Sequence, residues 1–151
     1  MFQKIVFATD FSDSAQRAYE KLKQLRTECN AQSVIIVSVV DEREIDSLAN
    51  LEGFYSIQIE KLREEVTQEL IKQTEAKIEK CKKELRELGF DVEVRIPVGI
   101  PYDEIVKIAE KEGAGLIVMG SHGKGILQEL LIGSTSEKVL RRAKCPVLIV
   151  K

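Results

Sequence analysis

The chain has 151 residues, 44% hydrophobic and 32% charged, with 23 basic against 25 acidic side chains and a formal charge of -2. A chain of this length buries about two thirds of its unfolded surface in one core, so a single domain over 1–151, without disulfides or structural metals, is expected. The near-balanced charge argues against general affinity for nucleic acid or anionic membranes, and any anion must be bound locally.

Cys29, Cys81 and Cys145 are odd in number and far apart, which fits reduced thiols and neither a zinc pattern nor a disulfide framework. The opening MFQKIVFATD meets Asp10 too early for a signal-peptide core. No run approaches the ~20 apolar residues of a membrane span. A cytoplasmic protein is the expectation.

The first element is a strand at IVFA (5–8), apolar throughout. Ser12 can cap a helix whose stripe is Ala15, Ala18, Tyr19, Leu22 and Leu25. VIIVSVV (34–40) reads as a second strand. The polar stretch 41–56 is weakly periodic and broken by Gly53, so it reads as a loop or a short mobile helix able to act as a lid.

The longest helical period follows: Ile59, Leu62, Val66, Leu70, Thr74, Ile78, Cys81, Leu85 and Leu88, stopped by Gly89. Such a helix is longer than a domain of this size needs, so part of it should project or bend. Its seam suits either cover for a sheet or a coiled-coil interface, and cover explains the stripe without a partner. VEVRI (92–96) is a third strand, Pro101 opens a helix ending at Gly113 or Gly115, and LIVM (116–119) and PVLIV (146–150) complete the strands.

Strands and helices thus alternate. Right-handed crossovers make an α/β fold, a doubly wound five-stranded parallel sheet with helices on both faces, the natural solution. In such sheets ligands bind beyond the carboxyl ends of the strands, where strand order reverses.

Immediately after LIVM the chain reads GSHGKGILQELLIGSTSEK, with Gly120, Gly123, Gly125 and Gly133 and the protein's only histidine, His122. Gly120 and Gly123 are expected to take positive φ and approach a ligand without a Cβ in the way. Ser134 and Glu137 have the spacing of a capping box at the start of a last helix. A glycine loop facing a helix start offers N–H groups to phosphate. The Walker motif fails, because Ile126 stands where its lysine belongs, and GAGLIV enters a strand where a dinucleotide fingerprint leaves one.

The remaining pattern, Gly120-x-x-Gly123, nine residues, Gly133-Ser134, resembles the nucleotide-binding signature of the universal stress protein family in its ATP-binding branch. The likeness covers nearly the whole chain, through ATDFS, VSVVDERE, VGIPYDEIVKIAE, MGSHGKG and GSTSEKVLRRAKCPVLIV, in order. It implies a Rossmann-like, adenine nucleotide alpha hydrolase-like fold. It further implies that Asp10 and Gly120 hold ribose hydroxyls, that the main chain at Val39 meets the adenine edge, and that His122, Gly123, Lys124, Gly133, Ser134 and Thr135 line the phosphates. Gly125 is assigned no contact.

Each residue also has a plainer role: Ser134 or Asp10 as a helix cap, His122 and Lys124 as solvated side chains. Glu137 places negative charge near the proposed phosphates. ATP brings roughly four negative charges against Lys124, at most His122, and helix dipoles worth up to ~2 kcal/mol. Mg or Mn held mainly by phosphates and water is therefore expected.

No Walker metal ligand, aligned base or transition-state arginine is evident for fast hydrolysis. The first reading is an ATP-binding switch whose occupancy alters the 41–56 surface and so an unidentified protein partner. The second is a slow Mg- or Mn-dependent ATPase using His122 or Lys124 and activated by a partner, and the third a dimeric scaffold without nucleotide. PVLIV should form a sheet edge, and the resemblance implies a homodimer through it.

Overall fold

The apolar runs become a parallel sheet because each is flanked by helices that cover it. In the computed structural model, which describes residues 2–51, 56–123 and 132–151, the elements follow in chain order. They are β1 (Lys4–Ala8), α1 (Asp13–Glu28), β2 (Ser33–Val37), β3 (Val40–Asp41), α2 (Glu42–Leu51), α3 (Ser56–Glu87), β4 (Asp91–Arg95), β5 (Val98–Gly99), α4 (Pro101–Lys111), β6 (Leu116–Gly120), α5 (Ser134–Arg142) and β7 (Val147–Val150). Five strands pair in the order β4-β2-β1-β6-β7, all parallel. The fold is α/β and Rossmann-like, as the alternation of runs implies.

Alternate residues of each central strand feed opposite layers. Ile5, Phe7, Val34, Ile36 and Val118 pack with Ala18 and Leu22 of α1 and Ile78 and Leu85 of α3. Val6, Ile35, Val37 and Ile117 pack with Ile105 and Ala109 of α4 and Val139 of α5. Each fully buried Leu, Ile or Val contributes about 1.5–3 kcal/mol against exposure. The sheet is therefore sealed on both faces, and its open ends are left for chemistry.

Ser12 caps α1 by accepting from Ala15 N–H, and Ala15, Ala18, Tyr19, Leu22 and Leu25 are all buried, as the stripe predicts. The helix α3 is continuous over 32 residues, roughly 48 Å at 1.5 Å per residue. Its later turns, with Ile78 and Leu85, cover the sheet, while Ile59, Leu62, Val66 and Leu70 are only half-buried where it meets α2. Ile45 and Ala49 are buried, and Asp46 pairs with Arg63 of α3. The polar stretch after residue 41 is thus mostly helix, and 52–55, including Gly53, lie outside the described residues.

One strand expectation changes. VIIVSVV is not one strand: β2 ends at Val37, and β3 pairs with β5 as a separate two-stranded ribbon. The chain leaves β1 there but stays beside β4, since Ser38 N–H donates to Arg95 O and Val40 N–H to Pro97 O. β7 lies at the sheet edge, half-buried along its whole apolar length. No helix among the described residues is long and apolar enough to cross a membrane.

Candidate functional site

Strand order reverses between β1 and β6, and a cleft of about 480 Å³ opens there at their carboxyl ends. Its floor is Thr9 and Asp10 after β1, Ser38 and Val39 after β2, and Met119 and Gly120 of β6. Arg43 and Glu44 of α2 and Leu70, Thr74 and Lys77 of α3 wall one side, and Ser134 and Thr135 open α5 on another. The last main-chain bond from β1 runs from Thr9 N–H to Val37 O. Ser38 and Val40 bond towards β4 and β5, so strand alternation turns the peptide groups of Val39 the other way, into the space β1 has vacated.

The glycines serve close approach. Among the described residues the glycines with positive φ are Gly89 and Gly113, so the left-handed backbone expected at Gly120 and Gly123 is not found. A Cβ on Gly120 would lie 2.3 Å from Ser14 Oγ and 2.6 Å from Ala15 N, so β6 abuts the first turn of α1. A Cβ on Gly123 would meet Asp10 Oδ2 at 2.9 Å. The loop is therefore drawn onto α1 and onto the Asp10 carboxylate.

Hydroxyls absent from the sequence-based site hold this arrangement. Ser14 Oγ donates to His122 O at 2.6 Å and Ser12 Oγ to the same carbonyl at 3.3 Å. Ser136 Oγ donates to Gly120 O at 2.9 Å, and Gly133 N–H to Ser121 O at 2.6 Å. Ser12, Ser14, Ser121 and Ser136 are buried, where each unpaired hydroxyl costs about 1–3 kcal/mol, so these bonds fix the loop between α1 and α5. The D-F-S-D-S run carried a signal: it places one hydroxyl at the cap and one in the first turn of a helix facing the glycines.

The start of α5 also differs from expectation. Gly133, not Ser134, is the cap residue, and it makes no side-chain cap bond. Ser134 is the first helical residue, so its hydroxyl cannot close a capping box. Glu137 instead turns along the helix to accept from Arg141 at 2.9 Å. Its charge is thereby answered away from the helix start.

Two cations join the site that composition did not reveal. Arg43 donates to both oxygens of Asp41, at 2.9 and 2.6 Å, which holds the Asp41 carboxyl below its ordinary range. The Lys77 ammonium lies 5.5 Å from the centre of the Phe11 ring. Ser121 Oγ and His122 Nδ1 are 2.8 Å apart, a hydrogen bond whose donor depends on the imidazole tautomer. Asp10 Oδ1 accepts from Ser12 N–H at 3.0 Å.

Asp10, Val39, Gly120, His122, Gly123, Ser134 and Thr135 thus line one cleft, and Gly133 precedes Ser134 as its cap. Lys124 and Gly125 lie outside the described residues.

A sequence model of the universal stress protein family matches residues 1–151. The chain belongs to the universal stress protein family. It is 44% identical to the universal stress protein MJ0577 of Methanocaldococcus jannaschii, over 100% of this chain and 96% of that one. Against the solved structure of MJ0577 the TM-score is 0.87 over the same shares. The universal stress protein YxiE of Bacillus subtilis is 33% identical over the full length of both chains. A universal stress protein solved in complex with cAMP is 27% identical, with a TM-score of 0.61 over 99% of this chain and 96% of its own. The family match spans every element that lines the cleft, α2 and α3 included.

Proposed function

We propose that this universal stress protein binds an adenine nucleotide in the cleft, ATP with Mg or Mn, and acts as a cytoplasmic switch whose occupancy alters the α2 surface seen by a partner. The observation that carries this reading is the meeting, in one cleft, of the Asp10 carboxylate, the Gly123 approach and the start of α5 without a side-chain cap. A carboxylate accepts from ribose hydroxyls, and helix-start N–H groups with Ser134 and Thr135 hydroxyls suit phosphate oxygens.

In this reading Asp10 and Gly120, which both line the cleft, take the ribose, and the outward peptide groups of Val39 take the adenine edge. His122, Gly123, Lys124, Gly133, Ser134 and Thr135 surround the phosphates. A divalent ion would draw its ligands chiefly from phosphates and water. The bound cAMP of the family member described above supports adenine recognition on this scaffold. The apolar edge strand β7 supports pairing with a second copy, which would cover it and make the whole chain one half of a homodimer.

The test is to denature freshly purified protein and identify released nucleotide by mass spectrometry, alongside Gly133→Val. The cap residue has φ -81°, which valine tolerates, so the substitution chiefly inserts bulk at the phosphate position. Release of ATP from the parent and none from Gly133→Val is expected. Release of ADP would favour slow hydrolysis. No nucleotide, and no change in melting with Mg-ATP, would leave the glycines a structural role only.

A further inference from the structure

Among the described residues the lysine and arginine side chains that line the cleft are Arg43 and Lys77. Arg43 is already neutralised by Asp41. Lys77 makes no ion pair with any described carboxylate, and its ammonium rests on an aromatic face. The phenylalanine ring carries no net charge to offset the ammonium, which has three N–H donors to offer a ligand.

The ring beneath it is held by force. Phe11 has φ 62°, a left-handed backbone uncommon for a bulky aromatic, which persists only where the surroundings impose it. Here Phe11 N–H donates to Thr9 Oγ1 at 3.1 Å, and Asp10 Oδ1 spans the residue to reach Ser12 N–H. The turn that aims Asp10 at Gly123 is therefore the turn that presents the Phe11 ring to Lys77. One strained residue sets both the carboxylate and the platform for the cation.

We infer that Lys77, carried on α3 and seated on Phe11, is a specificity-determining residue that reads the negative charge of the ligand. This inference rests on the nucleotide reading of the cleft and deepens it. Lys77 adds to affinity in proportion to the phosphate charge and contributes nothing to the base or sugar. The charge comes from the long helix, so α3 becomes a wall of the site as well as cover for the sheet.

The experiment compares adenosine, AMP, ADP and ATP, the phosphorylated ligands with Mg, by calorimetric titration of the parent, Lys77→Gln and Lys77→Arg. Lys77 is exposed, so both variants should melt with the parent. In the parent, affinity should climb from adenosine to ATP. In Lys77→Gln, ATP should weaken by about tenfold or more while adenosine stays within about twofold, as loss of one charge-assisted contact implies. Lys77→Arg should restore the climb, and added salt should weaken ATP binding more in the parent than in Lys77→Gln.

An equal loss for all four ligands would overturn the inference, because Lys77 would then be acting through the shape of the cleft. So would an unchanged climb in Lys77→Gln. If the parent itself binds none of the four, the nucleotide reading fails and this one with it. That outcome differs from the others because it is visible before any variant is made.

Discussion

Gly120→Ala puts the packing of the glycine loop under direct strain. The new methyl would sit 2.3 Å from Ser14 Oγ and 2.6 Å from both Ala15 N and Ser14 C. Ordinary contacts lie near 3.5 Å, so the first turn of α1 must retreat by roughly 1 Å. Overpacking of that kind costs about 1–3 kcal/mol. Retreat also stretches the bonds from Ser12 and Ser14 to His122 O, at about 1 kcal/mol each. A total near 3–5 kcal/mol should lower Tm by roughly 6–20 °C at this chain length.

Gly113→Ala is the contrasting case: φ is 61°, but nothing lies within 4 Å of the added Cβ. It should cost about 1 kcal/mol, or about 2–4 °C. Thermal melts of the two variants by circular dichroism decide the matter. If Gly120→Ala loses no more than Gly113→Ala, close approach is not what glycine is for at the end of β6.

Further outcomes follow from the titratable groups. Tyr19 OH donates to Glu84 at 2.8 Å, and burial first, then that bond, pushes the phenol far above its ordinary value of 10.0. A raised value means the folded state keeps the proton, so this stability is intact below pH 10 and declines as pH rises past it. Urea unfolding should show Tyr19→Phe about 1 kcal/mol weaker at neutral pH and with a shallower alkaline decline. Asp41 runs the other way, because the bond from Arg43 lowers its pKa below the ordinary 3.8. Its contribution is present above that value and lost as pH falls through the folded one. Asp41→Asn should cost about 1 kcal/mol or less at pH 7, since Arg43 is exposed and its charge is screened by solvent, and should converge with the parent in acid. Cys29 is exposed, whereas burial raises the thiol pKa of Cys81 and Cys145. A limiting thiol reagent followed by peptide mass mapping should label Cys29 first.

Much of this was legible because the strands are short, apolar and punctuated, and because the stripe of α1 recurs without interruption. What was not legible depended on neighbours. Val39 and Val40 have the same character as the strand before them, and only the departure of β1 turns the run into two pairings. Ser134 and Glu137 have the spacing of a capping box, yet Gly133 takes the cap and Arg141 takes the carboxylate. Positive φ is the usual reason for glycine, whereas Gly120 and Gly123 are small because α1 and Asp10 lie against them. Lys77 occupies a solvated position of a long helix, and no local pattern marks it until the fold seats it on Phe11.

Calorimetric titration of nucleotide-free protein with Mg-ATP asks whether the cleft holds an adenine nucleotide. If the cleft holds the nucleotide, binding is saturable at one site per chain, Tm rises with ligand, and both effects are lost in Asp10→Ala and Gly133→Val. Absence of heat and of any shift in Tm at millimolar Mg-ATP, from protein that melts cooperatively, would contradict it.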